Sequence, residues 1–290
     1  MKNRLIMIEG IPGSGKSTCA KKVEEYLIKQ GIKAKLYSEG DAHPVDMAWN
    51  AYLSINEYEA LLKQYPAHSE NIKAHTQIEA EYVTIAYTQL GFYPNQNELM
   101  NILEAHEVYD GRVACEIFEK LHLQRWRKFK LEEDEMAIFE CAYLQNQIGE
   151  LMTTYNKSKT YIEGYLLELL KSVEQYNPLL IYLTQKDVEE TITRVAKQRL
   201  SPDKSKWEDW IDLVIRSVEN SKYGKQNDLK GIEGVIQYYK DRKVIELDYL
   251  HQLKVNYPEL VDTEIVHNDD YDWGKLNIKL NDIIDNMLRD

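Results

Sequence analysis

Apolar positions along this chain recur with two periods, and their alternation lays out an α/β architecture. Leu5-Ile6-Met7-Ile8 is an unbroken apolar run, the pattern of a strand buried on both faces of a parallel sheet. Cys19, Val23 and Leu27 then mark one face at i, i+4 and i+8, predicting a helix that starts near Gly15 and stops at Gly31. Ile32 to Ser38 alternates apolar with basic residues as a second strand, so these elements read as a βαβ unit. From about 41 to 133 no strand of similar quality is evident. Segments 45–64, 70–90 and 96–105 read as amphipathic helices, and 107–113 as a tight turn. Met136 to Phe139 gives a short strand that ends at Glu140. Helical patterns follow at 143–155 and 159–176, and Leu179 to Leu183 is another strand. A helix capped by Asp187 runs to about Leu200, where Ser201-Pro202 ends it. Helical patterns at 208–222 and about 228–253 precede a last strand at 263–268. Leu276, Leu280, Ile283 and Met287 mark a last helix. The expectation is one α/β domain over 1–290, with a mostly parallel five-stranded sheet flanked by helices in three layers. A large helical insertion at 41–133 follows the second strand.

Composition narrows the partners. A formal net charge of -12 lacks the basic footprint of a polynucleotide binder, so a nucleic-acid polymer is not expected. An acidic chain can still carry a local basic pocket for a small anion. Three cysteines, Cys19, Cys115 and Cys141, are too few and too scattered for a disulfide framework or a zinc site. No apolar stretch approaches a membrane span, and a strand beginning at about residue 4 leaves no room for a signal peptide. These features predict a soluble cytoplasmic protein with no membrane partner.

The chemistry starts between the first strand and the first helix. Gly10-Ile11-Pro12-Gly13-Ser14-Gly15-Lys16-Ser17 fits G-x-x-x-x-G-K-[ST] at every specified position, and Thr18 follows. Glycines let successive backbone N–H groups turn inward onto phosphate oxygens. The helix that starts at the end of the loop adds its positive dipole end. Lys16 reaches the β- and γ-phosphates of a bound nucleotide, and the Ser17 hydroxyl ligates Mg²⁺. Gly10, Pro12, Gly13, Ser14, Gly15, Lys16, Ser17 and Thr18 are therefore expected to bind ATP, in a P-loop NTPase fold.

"IEGIPGSGKST" at residues 8 to 18 also resembles the first motif of the P-loop small-molecule kinases, the deoxynucleoside kinases and thymidylate kinases. The resemblance is strongest over residues 4–40. It implies transfer of the γ-phosphoryl group of Mg-ATP to a small-molecule acceptor. The ends of parallel strands surround the ligand crevice, which puts Glu39, Asp41 and His43 of "SEGDAH" near the phosphates. Glu39 or Asp41 is the expected base for the acceptor's proton; in deoxynucleoside kinases a glutamate at the end of the second strand has this role. Glu140 closes the third strand, where an acid helps hold Mg²⁺. The resembled kinases follow that acid with an arginine, and this chain has Cys141 instead. The helix after the fourth strand carries Arg194, Lys197 and Arg199 and resembles a kinase lid, over about 194–226, whose arginines neutralise charge on the transferring group. Positions 194 and 199 lie about 140° apart on an ideal helix, so Arg199 would act from its unwinding end.

The insertion offers Trp49, Tyr52, Tyr109, Arg112, Arg125, Trp126 and Arg127 as acceptor-site groups, and "VHNDDYDW" at 266–273 borders the base by its place after the last strand. Thr184-Gln185-Lys186-Asp187 has its lysine one place late for the base-reading motif of a GTPase. A P-loop ATPase, or a nucleotide-dependent switch acting on a protein partner, is the alternative to a kinase.

Overall fold

The computed structural model describes residues 3–40, 42–91, 98–204 and 207–289. Strand β1 (Leu5–Gly10), helix α1 (Lys16–Lys29) and strand β2 (Lys33–Tyr37) open the chain. The insertion follows with β3 (Asn50–Ser54), α2 (Ile55–Gln64), α3 (Ser69–Ala74), β4 (Thr76–Ile78), β5 (Tyr82–Ala86), α4 (Glu98–Glu104) and α5 (Cys115–Lys128). The chain continues through β6 (Glu135–Glu140), α6 (Gln145–Thr153), α7 (Lys159–Lys171), β7 (Leu179–Thr184) and α8 (Val188–Gln198). It ends with α9 (Trp210–Asn220), α10 (Lys222–Gln226), α11 (Gly231–Asn256), β8 (Asp262–His267) and α12 (Trp273–Arg289).

All five expected strands form one parallel sheet in the order β2-β6-β1-β7-β8. β1 and β7, in its interior, are buried at every position, whereas β2 and β8 at the edges alternate in exposure. This is why the first two read as continuous apolar runs and the edge strands as mixed ones. β1 and β2 are not neighbours, because β6 pairs with both. On one face Ile6, Ile8, Ile138 and Ile181 pack against Cys19, Val23 and Leu27 of α1 and Leu276, Leu280 and Ile284 of α12. Each such side chain contributes roughly 1.5–3 kcal/mol of hydrophobic burial. On the other face Phe139 meets the rings of Trp126 and Phe129 at 5.9 and 5.0 Å between centroids. This is an α/β P-loop architecture, a parallel sheet with helices on both sides.

The residues up to Glu39 and those from Trp126 onward make one compact unit, and Gly40–Arg125 makes a second. The second is not wholly helical. It contains an antiparallel sheet in the order β3-β5-β4, with Ala51, Leu53, Val83 and Ile85 turned into a core shared with Tyr58, Leu61, Ile72 and Leu99. Helix-length windows merge a five-residue strand with the helix after it, which is how β3 and α2 read as one helix over 45–64. The β-branched Val83-Thr84-Ile85 was the signal for β5. This unit also buries a polar chain. The Tyr109 hydroxyl donates to Asp46 at 2.7 Å and lies 3.0 Å from Nε2 of His122, whose Nδ1 donates to the Phe118 carbonyl at 2.9 Å. Among the described residues no helix is long and apolar enough to cross a membrane.

Candidate functional site

β1 stops at Gly10 and α1 starts at Lys16, so the glycine-rich segment is the whole connection between sheet and helix. Two of its glycines are required by geometry. Gly13 has φ 81°, and a Cβ there would come within 2.1 Å of Val195 Cγ2 on α8; Gly15 has φ 101°, and a Cβ would meet the Trp273 ring at 2.9 Å. Only glycine combines positive φ with such close approach. The N-terminus of α1 has no side-chain cap and no acid in its first turn, which leaves its N–H groups to an external anion. The Ser14 hydroxyl is wholly buried without a hydrogen-bond partner. An open helix end and an orphaned hydroxyl fit a bound polyphosphate. Pro12 is buried in the loop, while Ser17 and Thr18 are exposed in the first helical turn. Lys16 folds back on its own loop, with Nζ donating to the Gly10 and Ile11 carbonyls at 2.9 and 3.0 Å.

Side chains from three other segments hold the outer carbonyls of the loop. Arg194 Nη2 and the Tyr271 hydroxyl each donate to Gly13 at 3.1 Å, and the Arg194 guanidinium lies 3.4 Å from the centre of the Tyr271 ring. Asn268 Nδ2 and Gln185 Nε2 donate to Ser14 at 2.9 and 3.2 Å. The two arginines expected in a lid therefore separate: Arg194 touches the loop, whereas Arg199 is the C-cap residue of α8 with its guanidinium 5.4 Å from the Trp210 ring. Gln185 and Asn268 directly follow β7 and β8. Their place at the carboxyl ends of the strands was the available signal.

Acidic groups line the neighbouring strand ends. Glu140, the last residue of β6 and buried, accepts a hydrogen bond from the Ser17 hydroxyl. Glu39, two residues past β2 and exposed, accepts from Gln145 Nε2 at 2.9 Å. Asp41 lies outside the described residues. The structure adds Glu9, which is completely buried at the end of β1. Its carboxylate accepts from the backbone N–H groups of Tyr143 and Gln145 at 2.8 and 2.9 Å. Burial pushes its pKa up to about 7, against those N–H groups and the charge of Lys16. Gln145 thus links Glu9 through its backbone with Glu39 through its side chain. The turn that brings it there passes through Cys141, at φ 67°.

A second group escaped sequence reasoning because an Arg and a Glu four apart on a helix usually form a solvated surface pair. Arg242 and Glu246 of α11 are instead 3% and 0% exposed, with Nε and Oε1 2.9 Å apart. Glu246 also accepts from the Tyr182 hydroxyl, and Arg242 Nη2 reaches the Gly10 carbonyl at 3.4 Å. Of the acceptor-site candidates, Trp126 is wholly buried core and Arg127 pairs on the surface with Glu168 at 3.0 Å. Within the insertion, Arg125 donates to the Thr84 hydroxyl at 2.9 Å.

No family model matches the chain, and no curated protein matches it. Among solved structures it is similar to thymidylate kinase from Candida albicans, at 14% identity over 98% of this chain and 92% of that chain, with a TM-score of 0.42.

Proposed function

We propose that this chain is an ATP-dependent small-molecule kinase, which transfers the γ-phosphoryl group of Mg-ATP to a hydroxyl or phosphate of a small metabolite. The observation that carries the reading is the hydrogen bond between Ser17 and Glu140. It joins the hydroxyl of the phosphate-loop motif to a carboxylate at the end of the adjacent parallel strand. A hydroxyl and a carboxylate in contact are suitable partners for a hydrated divalent cation. In this reading Ser17 and Glu140 hold Mg²⁺, which when bound neutralises charge on the β- and γ-phosphates. Residues 10–18 bind the polyphosphate through backbone N–H groups, and Lys16 turns from the loop carbonyls to the phosphates.

Glu39 is the assigned base for a hydroxyl acceptor. It is accessible, lies at the end of β2, and has one oxygen oriented by Gln145, so the other is free to take the proton as the acceptor oxygen attacks phosphorus and ADP leaves. Arg194, already on the loop, supplies positive charge to the transferring group, with Arg199 a second donor from the end of α8. The test is ³¹P NMR of the protein with Mg-ATP and pooled nucleosides, nucleotides, sugars and aminoglycosides. A new phosphate-ester or phosphoanhydride signal that disappears in Lys16→Ala is the expected result. Inorganic phosphate alone, released at the same rate with every pool, would replace the kinase by an ATPase acting on a protein partner.

A further inference from the structure

The Gly10 carbonyl accepts from two cationic side chains at once. Lys16 Nζ lies 2.9 Å from it and Arg242 Nη2 3.4 Å. Lys16 is the group the motif provides for phosphate, so binding a polyphosphate requires it to leave the Gly10 and Ile11 carbonyls. A buried carbonyl that loses its donor costs about 1–3 kcal/mol. Arg242 is placed to prevent that loss at Gly10. Its side chain is fixed from behind by Glu246, which is itself held by the Tyr182 hydroxyl, and the guanidinium also lies 5.1 Å from the Tyr239 ring. All of these groups are buried, so water cannot substitute for the arginine.

We propose that Arg242 is a positioning residue that takes over the Gly10 carbonyl when Lys16 swings to the phosphates, and so sets the affinity of the loop for polyphosphate. The proposal rests on the nucleotide-binding part of the reading above and does not depend on the acceptor. It also ties the loop to α11, 232 positions away in sequence.

Removing Arg242 alone would strand a buried glutamate. The test therefore replaces the whole cluster in Tyr182→Phe/Arg242→Met/Glu246→Met, with folding checked by circular dichroism and thermal melting. Mg-ATP affinity is measured by calorimetry in this variant and in the wild type, and again with Lys16→Ala added to each. The expected result is a 10- to 100-fold weaker Kd when Lys16 is present, the size of one hydrogen bond to a charged group. With Lys16→Ala, which leaves nothing to release, the same replacement should change the Kd less than about threefold, since the two effects act through one carbonyl. An equal loss in both backgrounds would make the cluster a structural support only, and an unchanged Kd would remove Arg242 from nucleotide binding altogether. If the triple variant fails to fold, Arg242→Lys decides in the same way, because its shorter reach keeps the charge but abandons the carbonyl. A wild-type chain that binds no ATP would overturn the nucleotide reading and this inference together; binding that survives only the cluster replacement unchanged would overturn the inference alone.

Discussion

Two helices of this protein begin right after a strand or a loop from one, and their N-termini are treated in opposite ways. Helix α2, in the insertion, is closed by a complete capping box. Ser54 accepts from the Glu57 N–H at 3.3 Å, and the Glu57 carboxylate accepts from the Ser54 N–H at 2.8 Å. Helix α1 begins at Lys16, with Gly15 at its N-cap and no side-chain cap. Helix α2 satisfies its first turn from within, and α1 leaves its first N–H groups open for a ligand. Polar side chains follow the same division. Asp46, Tyr109 and His122 bond mainly to each other inside the insertion, whereas Arg194, Tyr271, Asn268 and Gln185 are spent on the carbonyls of one loop. The difference teaches where to look for chemistry: an uncapped helix end surrounded by donors is reserved, and a capped one is finished.

Substitutions in the two units should differ accordingly. Lys16→Ala should reduce phosphoryl transfer by roughly 10³-fold or more, as expected for loss of a charged transition-state contact, without lowering the melting temperature by more than a few degrees; retained turnover in a coupled assay would break the contrast at its strongest point. Glu39→Gln should lower transfer about 10²- to 10³-fold while calorimetry finds Mg-ATP binding unchanged. In the insertion the large effect should fall on stability instead. Asp46→Ala removes the buried carboxylate to which the Tyr109 hydroxyl donates at 2.7 Å and should cost about 3 kcal/mol in urea unfolding; a loss below about 1 kcal/mol would mean the chain relaxes around the gap.

Two carboxylates sharpen the comparison through pH. Glu9 has a folded pKa of about 7, above its ordinary 4.5, so its favourable contribution is complete below the ordinary value and is lost as pH rises through 7. Glu9→Gln should remove up to about 3 kcal/mol of that decline, at 1.36 kcal/mol per unit, in unfolding measured from pH 4.5 to 8. Asp46 is equally buried, and burial alone would raise it, but the His122 hydrogen bond, the charges of His43 and His122 and the Tyr109 hydroxyl bring it below the ordinary value. Its contribution is present above that value and fades as pH falls, and Asp46→Asn should flatten the acid side only. The smallest effect belongs to the capping box: Ser54→Ala should destabilise by about 1 kcal/mol, visible in the same unfolding series.

What the sequence made legible follows this division too. β1, β6 and β7 are buried and continuous, so their apolar runs were enough, and the glycine-rich loop is readable because its backbone geometry requires glycine at fixed positions. Glu140 was singled out from its place at a strand end, where the structure puts it. Gln145 and Glu9 were not assigned their connection, because it depends on a turn through Cys141 in the left-handed region, and nothing in a cysteine announces that conformation. Arg242 and Glu246 drew no assignment, since burial of that helix face is decided by the β7 tyrosine it meets. The strands of the insertion are three to five residues long, too short for their period to stand out from the helices beside them.

The central position of β1 has a consequence for the order in which the protein assembles. Both neighbours of β1 are made long after it: β6 starts 125 residues past Gly10 and β7 later still. While the ribosome is still adding chain, a strand with four consecutive apolar residues, Leu5 to Ile8, and the loop beside it have nothing to pair with, whereas every strand of the insertion sheet has already emerged. Synthesis at about 5–20 residues per second leaves β1 waiting for several seconds or more. The glycine-rich loop is thus made well before the strands that flank β1 and takes shape only after them, and a nascent chain stalled before β6 should depend on chaperones for as long as β1 remains uncovered.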